Sequence, residues 1–165
     1  IEKADLLGYS MGGVISCHLL AYHRERFGSV ALTGPVVRFI LGPTDESGAS
    51  AMADAMLADD ISQVSDPTVR PFRALADAIP DSDRQALAAC AQRLEHSQPI
   101  PPSDFAGVDI PVIIINGEND DVAGNPDQLV AAIPGARKVI IPGAAHLVVF
   151  DPRCREPGLS CLEEE

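Results

Sequence analysis

A serine flanked by glycines near the start of the sequence has the surroundings of a catalytic nucleophile. Residues 8–12, Gly-Tyr-Ser-Met-Gly, match the pattern G-x-S-x-G around Ser10. In this pattern the serine sits on a sharp turn from strand to helix, and the glycines leave space for the helix to pass close to the strand. The pattern therefore predicts that the Ser10 hydroxyl attacks an electrophilic carbon. The alternative is a plain glycine-rich turn that binds phosphate at the helix N-terminus.

Four histidines compete for the role of the base that a weakly nucleophilic serine hydroxyl needs at neutral pH. His18 and His23 fall in the helix predicted after the turn, where eight residues span about 12 Å, so neither reaches Ser10. His96 ends another predicted helix and is expected to be solvated. His146 follows the carboxyl end of a predicted strand, where open parallel sheets place their active sites, and we predict that it is the base. A surface histidine is the alternative.

Three acids compete for the role of the group that orients this base. A histidine base needs a carboxylate that holds its tautomer and stabilises its protonated form. Glu118, Asp120 and Asp121 all follow the end of a second predicted strand. We predict Asp120, because it stands three residues beyond the strand-ending Gly117 and therefore lies on the loop. For the other two acids, the alternative interpretation is a solvated acidic turn.

The order of the predicted elements indicates a parallel sheet that would position these residues. Strands are predicted over 4–8, 29–33, 110–117 and 138–141. The first two enclose a helix predicted over 11–26, and strand, helix and strand within about thirty residues are the signature of a βαβ unit. Another helix is predicted to begin at Asn125, which would cap it. The sequence therefore predicts an α/β fold.

Between the two pairs of strands, residues 39–104 carry helical patterns. One helix is predicted over 48–61, and another begins with a capping box formed by Ser82 and Gln85. A proline-rich stretch over 98–103 follows and cannot be helical, because proline lacks the N–H and clashes with the preceding turn. This part of the chain is therefore predicted to be a helical insertion.

The predicted core domain consists of two stretches, 1–38 and 105–165, on either side of the insertion. Four apolar residues of the insertion either line a substrate pocket or form its own core, and we favour the core: Met52, Met56, Leu57 and Ile61. A last helix is predicted over 151–165. Pro157 and Gly158 stand inside it and are expected to break it, since they cost about 3 and about 1 kcal/mol relative to alanine.

The composition excludes several classes of partner. The 165-residue chain carries a formal net charge of −12, which repels phosphate backbones and anionic lipids, so we expect no nucleic-acid partner and no membrane partner. No apolar run approaches the length of a membrane span. The four cysteines include no pair spaced for zinc, and Cys17 and Cys90 are expected to be small buried hydrophobic residues. These features favour a reducing, cytoplasmic location.

Three stretches of the sequence resemble the α/β-hydrolase superfamily. G-Y-S-M-G-G resembles its nucleophile turn, I-P-V-I-I-I-N-G-E-N-D-D-V-A-G its acid loop and I-P-G-A-A-H its histidine loop, in the family's order of Ser10, Asp120 and His146. The resemblance implies a partial α/β-hydrolase parallel sheet with helices on both faces and a helical cap at the insertion. It also implies hydrolysis of a small-molecule carboxylic ester through an acyl-enzyme on Ser10, with the backbone N–H of Met11 in the oxyanion hole and with no metal or cofactor.

The first residues of the chain depart from the family pattern and leave other functions open. Family members have several strands before the nucleophile turn, and the loop after the third supplies a second oxyanion N–H, worth about 10²–10³ in turnover. We therefore expect an N-terminally truncated chain whose partner is the missing N-terminal part of the same fold. A catalytically impaired fragment and a small-molecule receptor are the alternative functions. Thioesters, amides and activated carbon–carbon bonds are the alternative substrates.

Overall fold

The structure is a computed structural model that describes residues 1–42 and 51–162, with side chains as far as residue 160. These residues group into two units. The first unit comprises residues 1–42 and the residues from 98 onwards, and the second comprises the residues between 51 and 97.

The first unit extends further into the predicted insertion than the sequence indicates. Residues 39–42 and 98–104, which we assigned to the insertion, lie with the first unit. Ile40 and Ile100 are both buried, and the amide of Ile100 donates to the carbonyl of Ile40 at 2.7 Å. This hydrogen bond joins residues 39–42 to residues 98–104, at the two points where the chain leaves and re-enters the first unit. That the second unit is a cap stays a prediction.

A parallel sheet of four strands forms the first unit, in the order β1-β2-β3-β4: β1 Ala4–Tyr9, β2 Phe27–Thr33, β3 Val112–Gly117 and β4 Arg137–Ile141. The α-helices of the described residues are, in chain order, α1 Met11–His23, α2 Val37–Leu41, α3 Ala51–Leu57, α4 Arg70–Ala78, α5 Arg84–Glu95, α6 Asp127–Ala132 and α7 Pro152–Leu162. In the part of the chain that the structure describes, no helix has the length and apolar character of a membrane span.

The two central strands, β2 and β3, are buried along most of their length, as expected of interior parallel strands. Ile113 and Ile115 pack with Val148 and Cys154 on one face, where α7 contacts β2 and β3. Helix α1 contacts β1 and β2, and α6 contacts β4. The fold is therefore an α/β sheet with helices on both faces.

The four predicted strands are all present, with ends shifted by one or two residues. Helix α1 ends at His23, earlier than predicted, because the chain tightens into a 3₁₀ turn over Arg24–Arg26. A helix begins near Asn125 as predicted, but its N-cap residue is Pro126; Asn125 Oδ1 accepts the amide of Asp127, the first residue of α6, at 2.9 Å.

The C-terminal helix contradicts the prediction that Pro157 and Gly158 break it. Helix α7 runs from Pro152 to Leu162 with Pro157 inside it. Gly158 is buried, and a Cβ at this position would lie 3.9 Å from Ile115 Cδ1 of β3, so the glycine lies directly against the sheet. Burial of α7 against β2 and β3 therefore outweighs the poor helix propensity of the two residues.

The second unit consists of α3, α4 and α5 around an apolar core of its own. Met56 is buried there with Ala53, Ala76 and Ala88, and Met52 packs against them. This packing supports the interpretation of Met52 and Met56 as core residues, whereas Leu57 is 51% exposed. Helix α4 has no counterpart among the predicted elements.

Helix α5 begins at a different cap from the predicted one. Its N-cap is Asp83, whose carboxylate accepts the amide of Ala86 at 3.0 Å. The predicted capping box of Ser82 and Gln85 is therefore wrong, because the carboxylate of Asp83 both caps the helix and complements its positive end. The predicted start of the preceding helix, at 48–50, lies outside the described residues.

A buried arginine joins the helices of the second unit. Arg73 of α4 is 3% exposed, and its Nε donates to both carboxylate oxygens of Asp77 at 3.0 Å. Its Nη1 donates to the carbonyls of Ala55 and Ala58, at 2.9 and 2.7 Å. These carbonyls lie in the last turn of α3 and directly after it, where a helix leaves acceptors without intrahelical donors. The hydrogen bonds explain how a charged side chain is buried here.

The two cysteines predicted to be buried behave differently. Cys17 of α1 is fully buried, and burial raises the pKa of its thiol. Cys90 is exposed, so that prediction is wrong. The reason is the orientation of α5, which buries Ala88 but turns Cys90 to the surface.

Strand β1 forms an edge of the sheet. Among the described residues it pairs with β2 on one side, and no strand pairs with its other side. Leu7, in the middle of β1, is 56% exposed. An apolar edge strand with unpaired backbone groups is a template for association with another chain.

We expect the 165-residue chain to self-associate through β1, and Leu7→Lys to reduce this association, because a lysine on an edge strand opposes edge pairing. Sedimentation velocity at several protein concentrations measures the effect. Leu87→Lys, at an exposed leucine of α5, adds the same charge elsewhere and should leave the association unchanged. Equal association of the wild type and Leu7→Lys would contradict the prediction.

Candidate active site

Ser10 occupies a sharp turn between β1 and α1. Its φ and ψ are 52° and −114°, a left-handed conformation that costs a non-glycine residue about 1–3 kcal/mol. The amide of Ser10 donates to the carbonyl of Thr33, at the end of β2, at 3.0 Å. The carbonyl of Ser10 accepts the amide of Val14 in α1 at 3.2 Å. The strained turn is thus held by the neighbouring strand and by the helix that it opens.

One of the two motif glycines has the predicted role at this turn, and the other does not. A Cβ at Gly8 would overlap Ser16 Oγ and lie 2.6 Å from the carbonyl oxygen of Gly12, so α1 passes too close to β1 for any side chain. A Cβ at Gly12 would meet open space. The predicted spacing role of Gly12 is therefore wrong. Gly13 is the second position at which the backbone lies too close to a neighbour for a side chain, since a Cβ there would lie 3.0 Å from Pro35 Cβ.

The structure brings Ser10, Asp120 and His146 together from three loops. His146 Nε2 lies 2.8 Å from Ser10 Oγ. His146 Nδ1 lies 2.9 and 3.1 Å from the two carboxylate oxygens of Asp120. The side chains of His146 and Asp120 are 6% and 1% exposed. A proton on Nδ1, donated to the carboxylate, leaves Nε2 as the acceptor that faces the serine hydroxyl.

The carboxylate of Asp120 is fixed by its own loop. Its Oδ1 accepts the amides of Val122 and Ala123 at 3.2 and 2.9 Å, in addition to its contact with His146. Asp121, one residue further along, is exposed. The loop therefore turns one of its two consecutive aspartates towards the histidine.

Glu118 joins the acid loop to the histidine loop. Its Oε2 accepts the amide of Gly143 at 2.8 Å, so this acid is more than a solvated turn residue, although it is exposed. The amide of Asn119 donates to the carbonyl of Ala144 at 2.8 Å. A Cβ at Gly117 would overlap the carbonyl of Ala144, so only glycine allows the two loops to lie this close.

The remaining histidines have other surroundings in the described structure. His18 is partly exposed and stacks on Tyr22, with ring centroids 6.3 Å apart. His23 and His96 are exposed. Within residues 1–42 and 51–160, no three His, Cys, Asp or Glu side chains are grouped so that they could hold a metal ion.

Comparison with known proteins identifies the family. The model of the alpha/beta hydrolase family matches residues 1–155 of the chain. The chain belongs to the alpha/beta hydrolase family. No curated protein matches this alpha/beta hydrolase chain.

Solved structures with the alpha/beta hydrolase fold are similar to the chain. A hydrolase from Pseudomonas aeruginosa PA01 is 26% identical, with a TM-score of 0.72, over 99% of this chain and 66% of its own. The enol-lactonase from Burkholderia xenovorans LB400 is 25% identical, with a TM-score of 0.68, over 99% and 67%. A bromoperoxidase from Bacillus anthracis is 18% identical, with a TM-score of 0.77, over 99% and 68%, a likeness of fold alone. The chain spans about two thirds of the length of these relatives.

Gly34 lies beside this candidate site, although no sequence pattern indicated it. It follows β2 with φ of +55°, and its amide donates to the carbonyl of Ile115 at 2.8 Å. A Cβ at Gly34 would lie 3.3 Å from Asp120 Oδ2 and 3.3 Å from His146 Cε1. The position therefore needs glycine both for its backbone conformation and for the space that Asp120 and His146 occupy.

Tyr9 is a second residue that the sequence analysis did not single out, since the motif accepts any residue before the serine. Its ring centroid lies 5.4 Å from that of His146. Burial, and then the negative charge of Asp120, raise the pKa of Tyr9 to about 12. The phenol therefore stays neutral at any pH near neutrality.

The predicted oxyanion donor, the amide of Met11, belongs to the first residue of α1. The first four amides of a helix have no acceptor within the helix and form its positive end. This amide directly follows the Ser10 turn, so its position suits a developing negative charge beside Ser10. The role of this amide as an oxyanion donor stays a prediction.

The cytoplasmic location of the protein also stays a prediction.

We expect Gly34→Ala to slow the labelling of Ser10 by a serine-reactive fluorophosphonate about 10²-fold, because a displacement of the reacting groups by about 1 Å has costs of this size. Gly135→Ala is the matched control: Gly135 has φ of +71°, and a Cβ there would meet open space. It should lower the free energy of unfolding by about 1 kcal/mol and leave the labelling rate unchanged. Equal labelling rates for the two variants would refute the role of Gly34.

Proposed function

We propose that this chain is a serine hydrolase that cleaves a small-molecule carboxylic ester through an acyl-enzyme on Ser10. One observation carries the proposal: Ser10 Oγ lies 2.8 Å from His146 Nε2, while Asp120 Oδ1 lies 2.9 Å from Nδ1 of the same ring. A hydroxyl, a base and an orienting carboxylate in this chain of contacts are the groups that nucleophilic ester cleavage uses.

In the proposed acylation, Ser10 Oγ attacks the carbonyl carbon of the ester, and its proton passes to His146 Nε2. Asp120 accepts the hydrogen bond from Nδ1 and stabilises the imidazolium that forms. The imidazolium then gives the proton to the leaving alkoxide oxygen, the ester C–O bond breaks, and the alcohol departs. The acyl group stays bound to Ser10 Oγ as a new ester.

In the proposed deacylation, a water molecule replaces the alcohol. Its oxygen attacks the acyl carbon as one of its protons passes to His146 Nε2. The bond to Ser10 Oγ breaks, and His146 returns the proton to the serine oxygen. A carboxylic acid is released, and the three side chains regain their starting protonation states.

Both steps pass through a tetrahedral intermediate with a negatively charged oxygen. We propose the amide of Met11 as one donor to this oxygen, because it opens α1 directly after Ser10. An electrostatic contribution from the helix N-terminus acts in the same direction.

One relative supports the choice of an ester over other bonds, and another supports hydrolysis in general. The Burkholderia enol-lactonase, 25% identical to this chain, is named for a lactone, which is a cyclic carboxylic ester. The Pseudomonas protein, 26% identical, is described as a hydrolase. Thioesters, amides and activated carbon–carbon bonds are cleaved by the same groups and are the alternative substrates.

A chain with impaired turnover, or one that binds a small molecule without cleaving it, is the second candidate. The exposed edge of β1 favours it, because the strand that carries Ser10 lacks a neighbour on one side among the described residues. Removal of one oxyanion donor costs about 10²–10³ in turnover, so a site with the Met11 amide alone would be slow. The carboxylic ester that we propose as the substrate of this chain is also the substrate that we propose for the whole protein.

We expect the wild-type chain to be labelled at Ser10 by a fluorophosphonate and to hydrolyse short 4-nitrophenyl esters. Ser10→Ala should abolish labelling, and His146→Ala should lower kcat/KM by about 10⁴ or more. The double variant should be no slower than either single one, because the residues of such a site act as a unit. Mass spectrometry of the labelled peptide and steady-state kinetics provide the measurements.

The matched controls are Ser103→Ala and His96→Ala, which remove an exposed serine and an exposed histidine. Both should keep wild-type labelling and turnover. Full activity of Ser10→Ala would reject Ser10 as the nucleophile. Labelling of the wild type without turnover of any ester would favour the second candidate.

The acid assignment has its own test, in which each of the three neighbouring acids is neutralised. Asp120→Asn should lower kcat/KM by roughly 10³–10⁴, since an amide cannot hold the required histidine tautomer. Asp121→Asn should leave kcat/KM unchanged, because Asp121 is exposed. Glu118→Gln should cost less than about tenfold, because an amide oxygen still accepts the Gly143 amide. A larger loss for Asp121→Asn than for Asp120→Asn would overturn the assignment.

A further inference from the structure

The ring of Tyr9 packs against the imidazole of His146 beside the turn that carries Ser10. The two ring centroids are 5.4 Å apart, and the ring planes meet at 35°. The ring of Phe150 meets Tyr9 edge-on, with centroids 6.5 Å apart and planes at 65°. His146 and Phe150 are the first and last residues of a single 3₁₀ segment, His146–Phe150. Tyr9 therefore contacts both ends of the segment that presents the histidine.

The two hydrogen bonds of His146 do not by themselves fix the orientation of its ring. Nδ1 meets Asp120 and Nε2 meets Ser10, so the imidazole is held at two atoms. The ring is also bonded to Cβ through Cγ, but rotation about the Cα–Cβ and Cβ–Cγ bonds still lets it tilt, and tilting weakens both hydrogen bonds by bending their angles. A packing contact against the ring opposes this tilt. The Tyr9 ring supplies such a contact against the imidazole.

The hydroxyl of Tyr9 adds no hydrogen bond to this arrangement within the described residues. Its Oη is buried and has no partner among residues 1–42 and 51–160. The raised pKa keeps the phenol neutral, so it does not exchange protons with His146 near neutral pH. The ring carries the contact, and phenylalanine would supply the same ring.

We infer that Tyr9 is a positioning residue whose ring, rather than its hydroxyl, holds the His146 imidazole at the tilt that directs Nε2 towards Ser10 Oγ. The inference rests on the proposed function, because the position of His146 matters for catalysis only if His146 is the base. It explains why the residue before the nucleophile is aromatic in this chain: that position ends β1 beside the histidine loop.

Kinetics of matched variants of the 165-residue chain test the inference. Tyr9→Leu removes the ring, Tyr9→Phe removes the hydroxyl alone, and Tyr22→Leu makes the same change at the tyrosine that stacks on His18 away from the site. Tyr9→Leu should lower kcat, or the rate of fluorophosphonate labelling, by about 10- to 100-fold with KM nearly unchanged. Tyr9→Phe and Tyr22→Leu should both retain wild-type values.

Three kinetic outcomes overturn the inference. Wild-type kcat in Tyr9→Leu would show that no ring is needed. An equal loss in Tyr9→Phe and Tyr9→Leu would assign the effect to the hydroxyl. An equal loss in Tyr22→Leu would show a general effect of tyrosine removal on the fold.

A spectroscopic test separates this inference from the proposed function and needs no turnover. The Hε1 resonance of His146, assigned by its disappearance in His146→Gln, should show a ring-current displacement in the wild type that Tyr9→Phe retains. The wild-type and Tyr9→Phe spectra decide the matter even if Tyr9→Leu fails to fold. A wild-type resonance without this displacement overturns the inference, whereas a wild type that neither labels nor cleaves esters overturns the proposed function.

Discussion

The parallel register of the sheet is the constraint on which the candidate site depends. Tyr9 pairs with Thr33, Thr33 with Ile115, and Gly117 with Ile141, so β1, β2, β3 and β4 end at the same edge. The loops that follow these ends carry Ser10, Gly34, Asp120 and His146. Ser10 and His146 are 136 residues apart in the chain and 2.8 Å apart in space. A slip of one residue would move a loop by about 3.3 Å and separate these contacts.

Close approach at this edge is possible because glycine stands where loops and helix meet the strands. Gly8 lets α1 pass against β1, Gly34 leaves room for Asp120 and His146, and Gly117 lets the acid loop lie against the histidine loop. A side chain at Gly8 would push α1 from β1, one at Gly34 would push against Asp120 and His146, and one at Gly117 would push the histidine loop from the acid loop. The geometry of the site therefore depends on the lack of a side chain at these three glycines as well as on the side chains of the three functional residues.

The stability of the sheet compensates for strain at the site. Ser10 is held in a left-handed conformation, and the side chains of Asp120 and His146 are buried. Both are costs that a folded chain tolerates when the surrounding structure determines the position. The buried central strands β2 and β3, with α7 packed on them, provide that surrounding structure. β1 and β4 are each anchored to this centre along one side, so the strands that lead to Ser10 and to the histidine loop are the more exposed strands of the sheet.

The sequence by itself determined the local elements and their order: the turn at Ser10, the four strands, the start of a helix after Asn125 and the α/β class, because strand patterns and turn motifs are encoded over a few residues. It also indicated His146 through its place after a strand. Tertiary structure alone decided what depends on distant neighbours. It brought Asp120, which the sequence already indicated, into contact with His146, placed Gly34 and Tyr9 beside the histidine, exposed Cys90, and continued α7 through Pro157. Each of these outcomes depends on side chains that are far apart in the sequence and meet only after the strands have paired, and a local pattern carries no information about such contacts.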